Sequence, residues 1–315
     1  MRKSSLKSAG LLQFLISFTF ILAVTSCSLS LSTPSLPARH ALLIGIADYQ
    51  STKINDLNYT DDDARSMAKL LKAQDWDVRD TRTLIDSDAN KAGIISAITD
   101  FLESVPTGDY ALIYYSGHGV EDSGTSYLVP YDYDLGPNSN LISEEELANL
   151  FSIHAKTDNL IFIADSCFSG GFIPDTEVLD AVHPSYSASQ FLTKEMFPFF
   201  AFKNLAALVQ NNTNAGGGLV PMVLSAAGSL EYSYESPSLK DTDGNGHGVF
   251  TYFLLESAQK GDSNGDGYVT ATEAYNYTVK NISERWNLTN AQWDYDFYPH
   301  ISGGIRDIVL FTTKP

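Results

Sequence analysis

ALIYYSGHG (residues 111–119) and NLIFIADSCFSGG (residues 159–171) are the stretches that decide how this chain is read. Each is a short apolar run ending in a loop of small residues that carries one reactive side chain, His118 in the first and Cys167 in the second. A continuous apolar run between helical segments is the pattern of a parallel strand buried on both faces. In open parallel sheets, ligands and reactive groups collect just beyond the carboxyl ends of the strands. As neighbouring strands, the two runs would bring an imidazole and a thiol together.

Outward from this pair, strands and helices alternate. HALLIGIADY (40–49) predicts a first strand. Asp61, Asp62 and Asp63 then precede ARSMAKLLKAQ, whose apolar spacing is helical, and acids in a first turn suit the positive end of a helix. DVRDTRTL (77–84) predicts a second strand, NKAGIISAITDFLES (90–104) a second helix, YLVP (127–130) a small hairpin arm and SEEELANLFSIH (143–154) a third helix. Residues 172–219 break the pattern and read as an insertion or processing linker. PMVLSAAG (221–228) is a further strand, HGVFTYFLLESAQ (247–259) and TATEAYNYTVKNISERW (270–286) are helices, and IRDIVLF (305–311) is a closing strand. The alternation predicts an α/β domain over 40–315, a mostly parallel sheet with helices on both faces.

With 38 Asp plus Glu against 20 Lys plus Arg, the chain of 315 residues carries a formal charge of −18. That surface repels phosphate backbones and argues against nucleic-acid binding, while attracting basic peptides and divalent cations. Only Cys27 and Cys167 occur, too few for a disulfide framework. Arg2, Lys3 and Lys7 followed by LLQFLISFTFILAV (11–24) have the form of a signal peptide over 1–26. Val24-Thr25-Ser26-Cys27 resembles a bacterial lipobox, so Cys27 is expected to be lipidated, with 27–39 a tether to a membrane at the cell envelope. The other reading is an ordinary signal peptide with Cys27 incidental.

A thiol becomes a strong nucleophile when an adjacent imidazole takes its proton. Gly117 and Gly119 flank His118, and Ser166, Ser169, Gly170 and Gly171 surround Cys167. Backbone N–H groups in such loops are suited to an oxyanion, and those of Gly119 and Cys167 are the candidates. No third side chain is required, since a backbone carbonyl suffices to orient the imidazole. A lone buried Cys is more often a small core residue. Here both residues end apolar strands inside Gly/Ser loops, and their separation is near the roughly 50 residues of caspase-like peptidases.

YYSGHG and DSCFSGG, supported by ALLIGIADY, YTDDDARSMAKLL, HGVFTYFLLE and YPHISGG (298–304), resemble the signatures of the caspase-like superfamily in its metacaspase and bacterial orthocaspase branch. The resemblance implies a caspase-hemoglobinase fold with six strands, and endopeptidase activity with no organic cofactor. It also implies an acidic pocket for Arg or Lys of the substrate, at Asp63, Ser116, Asp165 and Thr60. A carboxylate pair suits a buried cation and rejects an acidic side chain. Taken alone, Asp63 reads equally as a helix-cap acid, whereas a carboxylate at a buried strand end such as Asp165 needs a reason. Lys194 and Lys203, within the insertion, are candidate self-cleavage points.

Asp262-Ser-Asn264-Gly-Asp266-Gly267-Tyr268-Val-Thr270-Ala-Thr-Glu273 follows the twelve-position EF-hand loop. Asp262, Asn264, Asp266 and Glu273 would supply side-chain oxygens, Tyr268 its carbonyl, and Thr270 a water-mediated contact to calcium. The other reading is a polar turn before a helix acid. Asp241-Thr-Asp243-Gly-Asn245-Gly-His247 begins similarly but reaches Tyr252 at the twelfth place and reads as a loop. The leading expectation is thus an exported, lipid-anchored cysteine endopeptidase cleaving after Arg or Lys. The alternatives are a catalytically silent calcium-binding lipoprotein and a related peptidase preferring Asn or Asp.

Overall fold

The computed structural model describes residues 37–79, 82–137, 140–166, 202, 204–212, 219–228, 233–290, 296–304 and 308–313. The expected signal peptide, Cys27, Cys167, Lys194, Lys203 and most of the 172–219 insertion lie outside the described residues.

In chain order the first half comprises β1 (Arg39–Gly45), α1 (Thr60–Ala73), β2 (Thr83–Ile85), α2 (Lys91–Ser104), β3 (Tyr110–Ser116), β4 (Gly119–Asp122), β5 (Thr125–Leu128), β6 (Ile142–Ser143), α3 (Glu144–His154) and β7 (Asn159–Asp165). There follow α4 (Leu205–Asn212), β8 (Met222–Ser225), β9 (Glu235–Ser236), β10 (His247–Gly248), α5 (Val249–Lys260), β11 (Tyr268–Thr270), α6 (Ala271–Asn281), β12 (His300–Gly303) and β13 (Val309–Thr312). A π-helical segment, Ile282–Asn287, extends α6.

The main sheet has six strands in the order β12-β8-β7-β3-β1-β2. All pairings in it are parallel except β12 with β8. The central strands are apolar along their middle residues because both faces are covered. Leu42, Ile44, Ile113, Tyr115, Phe162 and Ala164 pack with α2, α3 and α4. Their neighbours Ala41, Leu43, Leu112, Tyr114, Ile161 and Ile163 pack with α1, α5 and α6. Caps fix the helix starts. Asn90 accepts from Gly93 N at 2.9 Å, Ser143 accepts from Glu146 N at 3.1 Å, and Thr270 with Glu273 forms a reciprocal capping box.

One strand expectation is corrected, and for another the structure supplies the partner. Of 77–84, only Thr83–Ile85 joins the ladder with β1, and Asp77 makes an isolated bridge to His40. Val309–Thr312, from the closing IRDIVLF, pairs antiparallel with β11 and not with the main sheet. The sixth strand is instead His300–Gly303, an edge strand whose four residues are all half-buried, so it carries no apolar run to announce it. YLVP belongs to a three-stranded meander of β4, β5 and β6 beside the sheet.

Candidate active site

β3 and β7 are direct parallel neighbours, with Ser116 opposite Asp165. His118 lies two residues beyond the end of β3. Its peptide N–H donates to Tyr49 Oη at 2.8 Å, and the two rings lie 4.7 Å apart. Tyr115 Oη donates to the His118 carbonyl at 2.7 Å. A side-chain carbon on Gly117 would sit 2.8 Å from Tyr115 Oη and 3.1 Å from Tyr49 Oη, so only glycine lets both phenols close around this turn.

His118 Nε2 lies 2.7 Å from the carbonyl of Asn55. That carbonyl belongs to the β1–α1 loop, which is held by Tyr49 N to Asp56 Oδ1 and Leu57 N to Ala47 O, each 2.8 Å. A carbonyl only accepts, so Nε2 carries the proton and Nδ1 is the basic nitrogen of the neutral ring. The backbone orienter expected from sequence is therefore Asn55. The expected nucleophile, Cys167, lies outside the described residues, as does its share of the oxyanion site. Gly119 opens β4, opposite Leu128 of β5.

The expected pocket carboxylates meet. Asp63 and Asp165 come within 2.8 and 2.6 Å of where a side-chain carbon on Gly248 would stand, so the absence of that carbon is what admits both. Asp63 accepts from Ser116 Oγ at 3.0 Å and from Gly248 N at 3.1 Å, and its Oδ1 shares a hydrogen bond of 2.8 Å with His247 Nδ1. Asp165 accepts from Ser233 Oγ at 2.8 Å, Thr251 Oγ1 at 2.6 Å and Thr251 N at 3.2 Å. Tyr114 Oη is 2.5 Å from Thr251 Oγ1 and extends this network.

Burial pushes the Asp63 carboxyl up to about 7, against the opposing hydrogen bond from His247 and with the nearby Asp165 charge adding to the rise. Burial likewise raises Asp165, against its bonds from Thr251 and Ser233. Asp63 is wholly buried, and its side chain binds across the fold instead of capping its own helix. Thr60 does not join the cluster: its hydroxyl donates to the Ile46 carbonyl at 2.6 Å and ties the helix start to the end of β1.

Sequence reasoning missed His247, Gly248, Ser233 and Thr251 as members of this cluster. It also missed Glu235, whose carboxylate accepts from Asn58 N and Tyr59 N, each at 3.0 Å, and so anchors the start of α1. In sequence the HGVFT stretch reads as a helix and as part of the family resemblance, with no role given to His247 or Thr251.

The loop from Asp262 to Glu273 is closed by its own oxygens. Asp262 accepts from Gly265 N at 2.7 Å and Gly267 N at 2.8 Å, Asn264 from Asp266 N at 2.8 Å, and Asp266 from Tyr268 N at 2.8 Å. Gly267 has φ +92, a left-handed turn suited to glycine at the sixth position of such a loop. Glu273 bonds Ser263 Oγ and Thr270 Oγ1, each at 2.9 Å, through its two oxygens. Among the described residues no group of three or more His, Cys, Asp or Glu stands close enough to hold a metal. The stretch Asp241–His247 is a loop as expected, with Asp241 accepting from Asp243 N and Asn245 N. Among the described residues no helix is long and apolar enough to cross a membrane.

Residues 38–298 match the caspase domain family model. The chain is 31% identical over 155 residues to metacaspase-6 of Arabidopsis thaliana, covering 44% of this chain and 40% of that protein. It is 29% identical over 147 residues to the human mucosa-associated lymphoid tissue lymphoma translocation protein 1, covering 45% of this chain and 16% of that one. The match thus spans two fifths or less of each of these relatives. Among solved structures, a Geobacter sulfurreducens protein aligns with TM-score 0.54 at 17% identity, over 88% of this chain and 100% of that one. Caspase-1 of Spodoptera frugiperda aligns with TM-score 0.50 at 12% identity, over 89% of this chain and 93% of the other. At such identities the likeness is one of fold.

Proposed function

The chain belongs to the caspase domain family, and from that membership we propose that it is a cysteine endopeptidase cleaving peptide bonds after Arg or Lys. The observation that carries the specificity is the meeting of Asp63 and Asp165 over Gly248 at the carboxyl ends of the strands, on the ladder that leads to His118. Two buried carboxylates with aligned donors suit a guanidinium or ammonium and repel an acidic side chain.

In this reading Cys167 attacks the scissile carbonyl while His118 Nδ1 takes its proton, and the Gly119 and Cys167 N–H groups hold the oxyanion. His118 returns the proton to the leaving amine, and water then hydrolyses the acyl-enzyme. The Asn55 carbonyl holds the ring in the required tautomer and stabilises its protonated form. Thr60 is left a positioning role for the helix that carries Asp63.

We also propose a calcium clamp at Asp262, Asn264, Asp266, Tyr268, Thr270 and Glu273. An all-oxygen set suits this hard cation, and Asp262, Asp266 and Glu273 would have to draw together around it, Glu273 exchanging its capping bonds for it. Calcium there would act as a structural staple. Cys27 is proposed as a lipid anchor that places the exported enzyme at a membrane of the cell envelope.

Hydrolysis of fluorogenic peptides ending in Arg, Lys, Asp or Asn tests the enzymatic reading, with Cys167→Ala beside wild type. Turnover confined to Arg and Lys and lost in the variant is expected. Preference for Asp or Asn, or turnover that survives Cys167→Ala, overturns it.

A further inference from the structure

His247 is wholly buried between two carboxylates. Its Nδ1 is 2.8 Å from Asp63 Oδ1. Its Nε2 has no hydrogen-bond partner, and Asp241 Oδ2 lies 3.5 Å from it. Asp241 is itself fixed by Ser66 Oγ of α1 at 3.1 Å and by the Asp243 and Asn245 N–H groups. The next residue, Gly248, touches both pocket carboxylates. A buried imidazole in this place has a proton donor or acceptor facing an acid at each end.

We propose that His247 is a specificity-determining residue of the primary pocket, which takes the proton Asp63 sheds when a substrate cation enters, while Asp241 stabilises the imidazolium formed. The inference rests on the Arg/Lys reading of Asp63 and Asp165. Before substrate binds, the proton sits on Asp63 Oδ1 and is donated to Nδ1 of a neutral ring whose Nε2–H faces Asp241. As the guanidinium or ammonium arrives, that proton crosses the 2.8 Å bond to Nδ1. Asp63 becomes a carboxylate, His247 an imidazolium, and no proton is exchanged with solvent. A buried, uncompensated carboxylate is thereby avoided in the empty pocket.

The surroundings agree. Burial lowers the pKa of His247, but the bond to Asp63 and the charges of Asp63 and Asp241 outweigh it, leaving the group raised. The other titratable groups around Asp63 are Asp165 of β7, Glu235 of β9 and Tyr114 of β3. Those facing His247 are Asp63 and Asp62 of α1 and Asp241, with the Tyr252 ring of α5 at 6.4 Å. Once Asp63 has shed its proton, its charge joins those of Asp62 and Asp241 in favouring the imidazolium, whereas the protonated Asp63 of the empty pocket adds no such charge.

The test compares wild type, His247→Gln and Asp241→Asn on Arg and Lys peptides between pH 6 and 8.5, reading KM and kcat separately. Glutamine keeps a donor for Asp63 but accepts no proton. Its KM at pH 7 is expected to rise about tenfold with kcat within about threefold, and to fall as pH rises toward 8.5 because Asp63 must now lose its proton to solvent, whereas the wild-type KM stays level. Asp241→Asn, on a partly exposed loop, should shift KM in the same direction by less, and it decides the matter if His247→Gln melts below assay temperature. Wild-type KM and pH profile in the folded variants overturn the assignment of His247 alone, and so does a loss carried by kcat. Absence of Arg and Lys turnover in wild type overturns the pocket reading and this inference together.

Discussion

Ser116 and Asp165 face each other as the last Cα partners of the β3–β7 ladder. His118 and Cys167 each follow this pair by two residues along the chain. A nucleophile and base working as one unit give non-additive losses. His118→Ala and Cys167→Ala should each lower kcat about a thousandfold or more. The double variant should lose little beyond either. A double loss equal to the product of the singles would show that the two side chains act independently.

Tyr49 holds the His118 peptide N–H and stacks near its ring. Tyr49→Phe keeps the ring and removes the acceptor. It should cost about 1 kcal/mol of stability and lower kcat several-fold with KM nearly unchanged. Denaturant titration beside steady-state kinetics measures both, and an altered KM at constant kcat would contradict this role.

Gly248→Ala would drive a methyl group between Asp63 and Asp165, at 2.8 and 2.6 Å from their oxygens. Overpacking of this kind costs about 1–3 kcal/mol. Arg and Lys turnover should fall with it, and a melting curve separates the pocket effect from unfolding. A variant with normal KM for both peptides would mean that the two carboxylates do not bind the cation.

Asp63 carries a pH signature. Its folded-state value of about 7 stands above the ordinary 3.8, so the folded protein holds a proton that the unfolded chain releases between those values. The stabilisation is present in full below about pH 4 and is lost as pH rises through about 7. Asp63→Asn, a mimic of the protonated acid, should therefore melt higher than wild type at pH 8, with the gap closing toward pH 5. The same variant should lose Arg cleavage. An equal melting shift at both pH values would contradict the raised carboxyl.

Calcium at 100 times its dissociation constant would stabilise the fold by about 2.7 kcal/mol. Wild type should melt several degrees higher in calcium than in chelator, and Asp262→Asn or Asp266→Asn should abolish the difference. Identical melts of wild type with and without calcium would leave the Asp262–Glu273 loop as a self-satisfied turn.

The legible part of the fold is the part governed by local pattern. The runs at 40–45, 111–116 and 159–165 are apolar on both faces because both faces are covered, and the acids of α1 and the cap at Ser143 announce helix starts. β12 was not legible, since an edge strand with every residue half-buried shows neither alternation nor an apolar run. β13 was legible as a strand but not in its partner, because pairing is a property of two distant segments. The same limit applies to the site. Asp63, Ser116 and Asp165 were named through family resemblance, whereas the bond from His247 to Asp63 spans 184 residues and leaves no mark in local composition. Its available signal was a histidine directly before a glycine at a helix start.

Those long spans also set an order of events during synthesis. Asp63 is bonded by Ser116 of β3 but receives its other partners only from residues 247 and 248, and Trp76, just past α1, donates its indole N–H to the carbonyl of Leu310. Contacts so distant in sequence form late, because loop closure must precede them. A nascent chain that has already extruded His118 and Cys167 still lacks the groups that surround Asp63. On the proposed reading, inactivity during translation follows from the connectivity alone, with no separate inhibitor required.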